Sequence, residues 1–180
     1  MSHQYIPAEL RALRQWVVSG SSRKPYHPVS GEAADPNLPD TWGSFEEAIA
    51  AGAPHIGFVL TREDPYCIID LDDKETNPAS DEDKRRFQQM LGFFDTYIET
   101  SISGRGIHIV LKGSVPSGVN RDHVEIYSSQ RYMIFTGNVI KNLPIAEGYQ
   151  ATLDAMHAQM YIEGESVELV EVAEVSDDAY

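Results

Sequence analysis

Basic residues are scarce in this sequence of 180 residues: 14 Lys and Arg stand against 28 Asp and Glu, a formal net charge of −14. A protein that coats nucleic acid over its whole surface carries the opposite sign, so that class is excluded. Cysteine is nearly absent. The single Cys67 excludes an internal disulfide framework, and its place in an apolar run makes it a small core hydrophobe, in keeping with a reducing compartment. No uninterrupted apolar stretch approaches membrane-spanning length, and no basic segment leads into an apolar one near the N-terminus. The expectation is therefore a soluble, unexported, cytoplasmic protein with no membrane contact. The phosphate-binding pattern GxxxxGK[ST] is missing, and no repeat of solenoid or propeller period occurs.

What is present suffices for one domain with a real core, at 42% hydrophobic residues. The expected division is a domain over 1–162 followed by an acidic tail over 163–180. The tail carries seven acids and no Lys or Arg, and is expected to be disordered, frayed or partner-binding. The body then holds 14 basic against 21 acidic residues. A local basic groove built from Arg105, Lys112, Arg121 and Arg131 is compatible with that balance, whereas strong non-specific DNA affinity is not.

The chain opens with a predicted helix over 7–16, with Leu10, Leu13 and Trp16 on one side. An irregular excursion over 19–42, rich in Gly, Ser and Pro, follows and holds at most one hairpin. Ser44 with Glu47 forms a capping box for a helix that Gly52 stops. A strand over 56–61 turns at 62–64 into the acidic strand PYCIIDLDDK, so the two are expected to form a hairpin. Ser80 caps a helix over 81–91. Strands are predicted over 97–101, 107–112, 124–127 and 132–136, the last two joined by the turn 128–130, with a polar loop over 113–122 and a final helix over 149–160. The class is α+β, mainly antiparallel, with helices flanking the sheet.

Three stretches carry chemistry. In the acidic strand, period-two alternation puts Asp70 and Asp72 on the face opposite Cys67, Ile69 and Leu71, with Asp73 pointing the other way. Two adjacent carboxylates call for a divalent cation or a shared proton, although a strand-end turn reads the same way. In SGRGIHIV, Gly104 and Gly106 allow a tight turn that lets a phosphate approach backbone N–H groups, and His108 in the following strand faces away from Ile107, Ile109 and Leu111. In VEIY, Glu125 is an acid inside a short apolar strand, which costs free energy unless it is solvated, paired or metal-bound. If that strand neighbours the acidic one, three carboxylates meet. That set suits two Mg²⁺ or Mn²⁺ ions roughly 4 Å apart in phosphoryl transfer.

The order IDLDD, SGRGIH, VEIY and RYMIFTGN, with the lead-ins KPYHPVSG, TWGSFEEA and GFVLTREDPY, resembles the primase-polymerase domain of the archaeo-eukaryotic primase superfamily. The branch it is most similar to occurs in phage and plasmid replication proteins. The resemblance covers about residues 15–138 and implies an RRM-like catalytic core. It also implies template-directed nucleotidyl transfer, making a primer or extending DNA from NTPs or dNTPs on a single-stranded DNA template. On that resemblance Asp70, Asp72 and Glu125 bind Mg²⁺ or Mn²⁺, and His108 contacts the triphosphate. Ser103, Gly104 and Gly106 shape the turn, Arg105 and Arg131 neutralise phosphate charge, and Lys24 matches a basic position of the N-terminal loop. Asp73 is left as a strand-end cap. A helicase or other replication protein is implied as partner or fused domain, so the chain reads as a catalytic fragment, a stand-alone product or one subunit of a split system. Two other functions use the same residues: a non-catalytic binding or regulatory module with an acidic tail, and a metal-dependent nuclease.

Overall fold

The computed structural model describes residues 2–164; the tail expected over 163–180 lies outside them except for its first two residues, which end the last helix. In chain order the elements are α1 (Ala8–Arg11), β1 (Trp16–Ser19), β2 (Pro25–Tyr26), α2 (Phe45–Ala50), β3 (His55–Leu60), β4 (Tyr66–Leu71), α3 (Asp81–Phe93), β5 (Ile98–Thr100), β6 (Ile107–Lys112), β7 (Val119–Arg121), β8 (Val124–Tyr127), β9 (Arg131–Phe135), β10 (Val139–Lys141) and α4 (Gln150–Gly164). The α+β class holds. Ten strands form two antiparallel sheets, one of four in the order β2-β1-β3-β9 and one of six in the order β10-β5-β6-β4-β8-β7. Within the larger sheet β4 and β5 both pair antiparallel with β6 between them, so β4, α3 and β5 make a split β-α-β unit.

Alternation along the strands sorts the core into layers. Tyr66, Ile68, Val110 and Tyr127 from the six-stranded sheet meet Trp16, Phe58, Met133 and Phe135 from the four-stranded one. The opposite face, with Cys67, Ile69, Leu71, Ile109 and Ile126, is covered by Phe87 and Phe94 at α3 and by Leu153 of α4. Both capping boxes form: Ser44 Oγ accepts from the Glu47 amide at 3.1 Å while Glu47 reaches back, and Ser80 does the same with Asp83.

Three expectations are corrected. The helix over 7–16 ends at Arg11, and Trp16 begins a strand instead. Its indole nitrogen donates to the Leu10 carbonyl at 3.0 Å, and its ring stands edge-on to Phe45 and Phe58 with centroids 5.2 Å away, so the i,i+3 spacing reflects one shared core rather than one helix. β3 and β4 form no hairpin; they lie in different sheets. The cause is Asp64, whose Oδ2 accepts from the Thr61 amide and hydroxyl and from Gln15 while its Oδ1 accepts from the Tyr66 amide, turning the chain out of one sheet and into the other. The turn 128–130 joins β8 to β9 as expected and, with Gln130 at φ 55°, carries the chain from the larger sheet to the smaller. Finally, the polar loop over 113–122 contains the edge strand β7, and β10 adds the opposite edge.

Candidate active site

The register of the larger sheet fixes the site. Asp70 on β4 lies opposite His108 of β6 on one side and opposite Glu125 of β8 on the other. The row continues to Glu99 on β5 and Asn120 on β7. Cross-strand partners share a face, so five polar side chains line up across the sheet on the face turned toward the smaller sheet. Asp72, two residues beyond Asp70, joins them. Of these, Asp70, Asp72, His108 and Glu125 form one wall of a cleft of about 460 Å³ whose other wall comes from β9 and Arg23.

Within the row, His108 Nδ1 is 2.9 Å from Glu99 Oε1 and its Nε2 is 3.8 Å from Asp70 Oδ1. Asn120 donates to Glu125 Oε1 at 2.9 Å, and Arg131 approaches Glu125 Oε2 at 3.8 Å while its guanidinium lies over the Tyr127 ring. Lys74 pairs with Asp72 at 3.0 Å. The Asp72 backbone is clamped on both sides, its amide donating to the His123 carbonyl at 2.8 Å and its carbonyl lying 3.1 Å from His123 Nδ1.

Burial and crowding perturb these acids together. Desolvation raises the Asp70 carboxyl above the ordinary range, with His108 opposing and Asp72 reinforcing the rise. Desolvation, then the Asp70 charge, pushes Glu125 up to about 7 against the pull of Arg131. For His108, burial works to lower the pKa, but the Glu99 hydrogen bond and the charges of Asp70, Glu99 and Asp72 outweigh it, and the net direction is up.

The structure brings Asp70, Asp72, Glu125, His108, Ser103, Arg105 and Arg131 into the one cleft. Gly104 and Gly106 lie in the turn beside it. Gly104 sits at φ 75°, and a Cβ on Gly106 would stand 2.8 Å from Ser101 Oγ and 3.1 Å from the Leu71 carbonyl. The turn's amides are spent internally: Gly104 donates to the Ser101 carbonyl, Arg105 to Ser103 Oγ and Gly106 to Ser101 Oγ. The expected N–H cradle for phosphate is thus closed, and the turn serves to place Arg105 and His108. Asp73 does point away from Asp70; it accepts from the Ala79 amide at 2.8 Å and holds the Arg105 guanidinium at 3.1 Å.

The expected basic groove does not assemble. Lys112 sits at the far end of β6, 3.5 Å from both Glu9 and Glu147, and Arg121 lies beside Asp122 on the edge strand. Arg23 and Lys74 join Arg105 and Arg131 instead, so among the described residues four fixed cations face five carboxylates in the cleft. The cleft is far closer to neutral than the chain. Arg23 enters through the loop before β2, which Tyr132 ties down by donating from its hydroxyl to the Arg23 carbonyl.

Glu99 is the residue that sequence reasoning passed over. It is fully buried on a three-residue strand. The argument applied to Glu125, an acid inside a short apolar strand, applies equally to Ile98-Glu99-Thr100.

For a metal, the donor set is hard oxygen, and Asp70 accepts no hydrogen bond from any described residue, its nearest cationic partner being His108. No group of three His, Cys, Asp or Glu among the described residues is gathered closely enough to cage an ion as it stands. The carboxylate oxygens of Asp70 and Asp72 are of the type a hard cation takes, while Asp72 is engaged by Lys74 and Glu125 by Asn120 and Arg131.

An acidic strand, a glycine turn leading into a histidine strand and a third acidic strand are thus gathered on one cleft of an antiparallel α+β domain, the arrangement that the resemblance to the primase-polymerase class implies. The comparison with known proteins agrees: over 154 residues the chain is 37% identical to the DNA primase-polymerase of Nitratiruptor phage NrS-1, a match covering 74% of this chain and 21% of that protein. The chain is thus a relative of a phage primase-polymerase, and it spans about a fifth of that protein's length. No family model matches it.

Proposed function

We propose that this domain performs template-directed nucleotidyl transfer in phage or plasmid DNA replication, joining NTPs or dNTPs on single-stranded DNA. The observation that carries the reading is the register row in which Asp70 stands between His108 and Glu125, with Asp72 beside it on the same cleft. Asp70 and Asp72, completed by Glu125, would hold Mg²⁺ or Mn²⁺, which when bound supplies charge neutralisation at the reacting phosphate and activation of the attacking hydroxyl. His108 presents Nε2 to the cleft and, as the imidazolium, would donate from it toward a triphosphate oxygen. Arg131, braced on Tyr127, and Arg105, braced on Asp73, offset phosphate charge from opposite walls. Positioning and electrostatics are what such a reaction asks of the protein. With a net charge of −14, the chain gains little non-specific attraction for DNA, so a helicase or another replication protein that brings the template is part of the proposal. No helix among the described residues is long and apolar enough to cross a membrane.

The test is incubation with single-stranded template, Mg²⁺ or Mn²⁺ and labelled NTPs or dNTPs, beside Asp70→Ala/Asp72→Ala. Primer-length product that disappears in the double variant is the expected result. Shortening of the template would instead point to a nuclease, and absence of metal-dependent nucleotide binding would point to a non-catalytic module.

A further inference from the structure

Glu99 takes no part in the proposed chemistry, yet it is fully buried beside the cleft and four groups hydrogen-bond to it. Its Oε1 lies 2.9 Å from His108 Nδ1 and 3.0 Å from the Thr136 amide, and its Oε2 lies 2.8 Å from both the Tyr97 hydroxyl and the Gly137 amide. It is 0% exposed. A carboxylate in such a place is costly unless every lone pair is met, and here all are. The backbone amides can only donate, one to each oxygen, so Glu99 is an acceptor on both sides. The hydrogen between Glu99 and His108 therefore belongs to Nδ1.

We propose that Glu99 is a positioning residue for the candidate site, fixing the ring plane of His108 and the proton on its Nδ1 so that Nε2 is the ring nitrogen presented to the cleft. Two links make the geometry specific. Glu99 and His108 are register partners on β5 and β6, so their side chains meet without either strand bending. The Thr136 and Gly137 amides that hold Glu99 directly follow β9, the strand that also delivers Arg131, so one buried acid joins the histidine wall of the cleft to the arginine wall. A ring flip would exchange Nδ1 for a carbon facing Glu99 and strand the carboxylate. What Nε2 meets rests on the nucleotidyl-transfer reading, whereas the ring's orientation does not.

Two measurements test this on the full chain. In ¹⁵N NMR of the imidazoles, without metal, His108, assigned by its loss in His108→Ala, should show a protonated, slowly exchanging Nδ1, and addition of Mg²⁺ with ATP or dATP should move Nε2. This requires no Glu99 variant, so it stands even if such a variant fails to fold. In calorimetry with Mg²⁺ and the same nucleotides, Glu99→Gln, which keeps one acceptor oxygen of two, should weaken binding about tenfold. Glu99→Gln/His108→Ala should bind no more weakly than His108→Ala alone. A bare Nδ1 in the wild type, or losses that add in the double variant as a purely structural brace would give, overturns the proposal. If the wild type binds no triphosphate while Nδ1 is protonated and Glu99→Gln alters it, the functional reading fails and the positioning role of Glu99 stands.

Discussion

Replacing Glu125 by Gln should stabilise the metal-free protein at pH 8 and leave its stability nearly unchanged at pH 5. Desolvation and the neighbouring Asp70 charge lift the Glu125 carboxyl from its ordinary 4.5 to about 7. The folded chain therefore binds that proton more tightly than the unfolded one. The stability this contributes is complete below about 4.5 and is lost as pH rises through about 7, because the unfolded carboxylate ionises freely while the folded one resists. With each pKa step worth about 1.4 kcal/mol, an ionised Glu125 costs the fold about 3 kcal/mol above that window. Glutamine keeps an oxygen for Asn120 to donate to and cannot ionise, so it escapes the cost. The side chain is only 14% exposed, which limits relief by solvent. Urea unfolding in the presence of EDTA, run from pH 5 to pH 8 on both proteins, reads the difference directly. It should grow from under about 1 kcal/mol at the acid end to about 3 kcal/mol at the basic end. A difference that stays flat across pH, or a Gln variant less stable at pH 8, would refute the account of how these acids are held. Adding Mg²⁺ or Mn²⁺ should then favour the wild type, since a ligand that binds the folded state stabilises it by mass action.

The glycine turn and the sheet crossing offer independent tests. Gly106→Ala places a methyl 2.8 Å from Ser101 Oγ and 3.1 Å from the Leu71 carbonyl, and should cost about 1–3 kcal/mol, read as a lowered melting temperature. Gly104→Ala has open space around it and pays only for φ 75°, about 1 kcal/mol; a ranking of the two in the opposite order would contradict the close approach at Gly106. Asp64→Ala removes the acceptor of the Thr61 and Tyr66 amides and of Gln15, and should cost about 2–4 kcal/mol with faster hydrogen exchange at those two amides, whereas a loss under about 0.5 kcal/mol would show that the crossing does not depend on it.

What could be read from sequence, and what could not, follows the range of the interactions involved. Alternation within a strand is a local property, so Asp70 and Asp72 could be set against Asp73, and Glu125 against Val124 and Ile126, before any fold was known; all of these facings are found. The capping box at Ser44 and the cap at Ser80 are equally local. Which sheet a strand joins is not. A short polar connection between two apolar strands suits a hairpin and a sheet-to-sheet crossing alike, and the decision rests on where the Asp64 carboxylate finds donors, one of which is Gln15, 49 positions away. Trp16 misled for a related reason: Leu10 and Trp16 do share a core, but through the indole bond to the Leu10 carbonyl rather than through a common helix.

The same distinction explains why the site came out acid-rich on paper and nearly balanced in space. Sequence motifs reveal the carboxylates because they sit on strands, where spacing fixes direction. The cations that face them come from elsewhere: Arg23 from a loop anchored by Tyr132, Lys74 from the segment after β4, and Arg131 from a strand of the other sheet. None of these placements follows from local spacing, so the basic residues chosen by composition, Lys112 and Arg121, were the wrong ones. A cleft whose acids lie on or just after strands of one sheet and half of whose balancing charges, Arg23 and Arg131, are brought by the other depends on the two sheets staying in register. Only Glu99, bonded to His108 on one side and to the end of β9 on the other, spans that divide within the described residues of the polar row by hydrogen bonds, while Glu125 reaches across it by charge. Loosening Glu99 should therefore disturb both walls at once, whereas loosening Glu125 should leave the His108 wall in place.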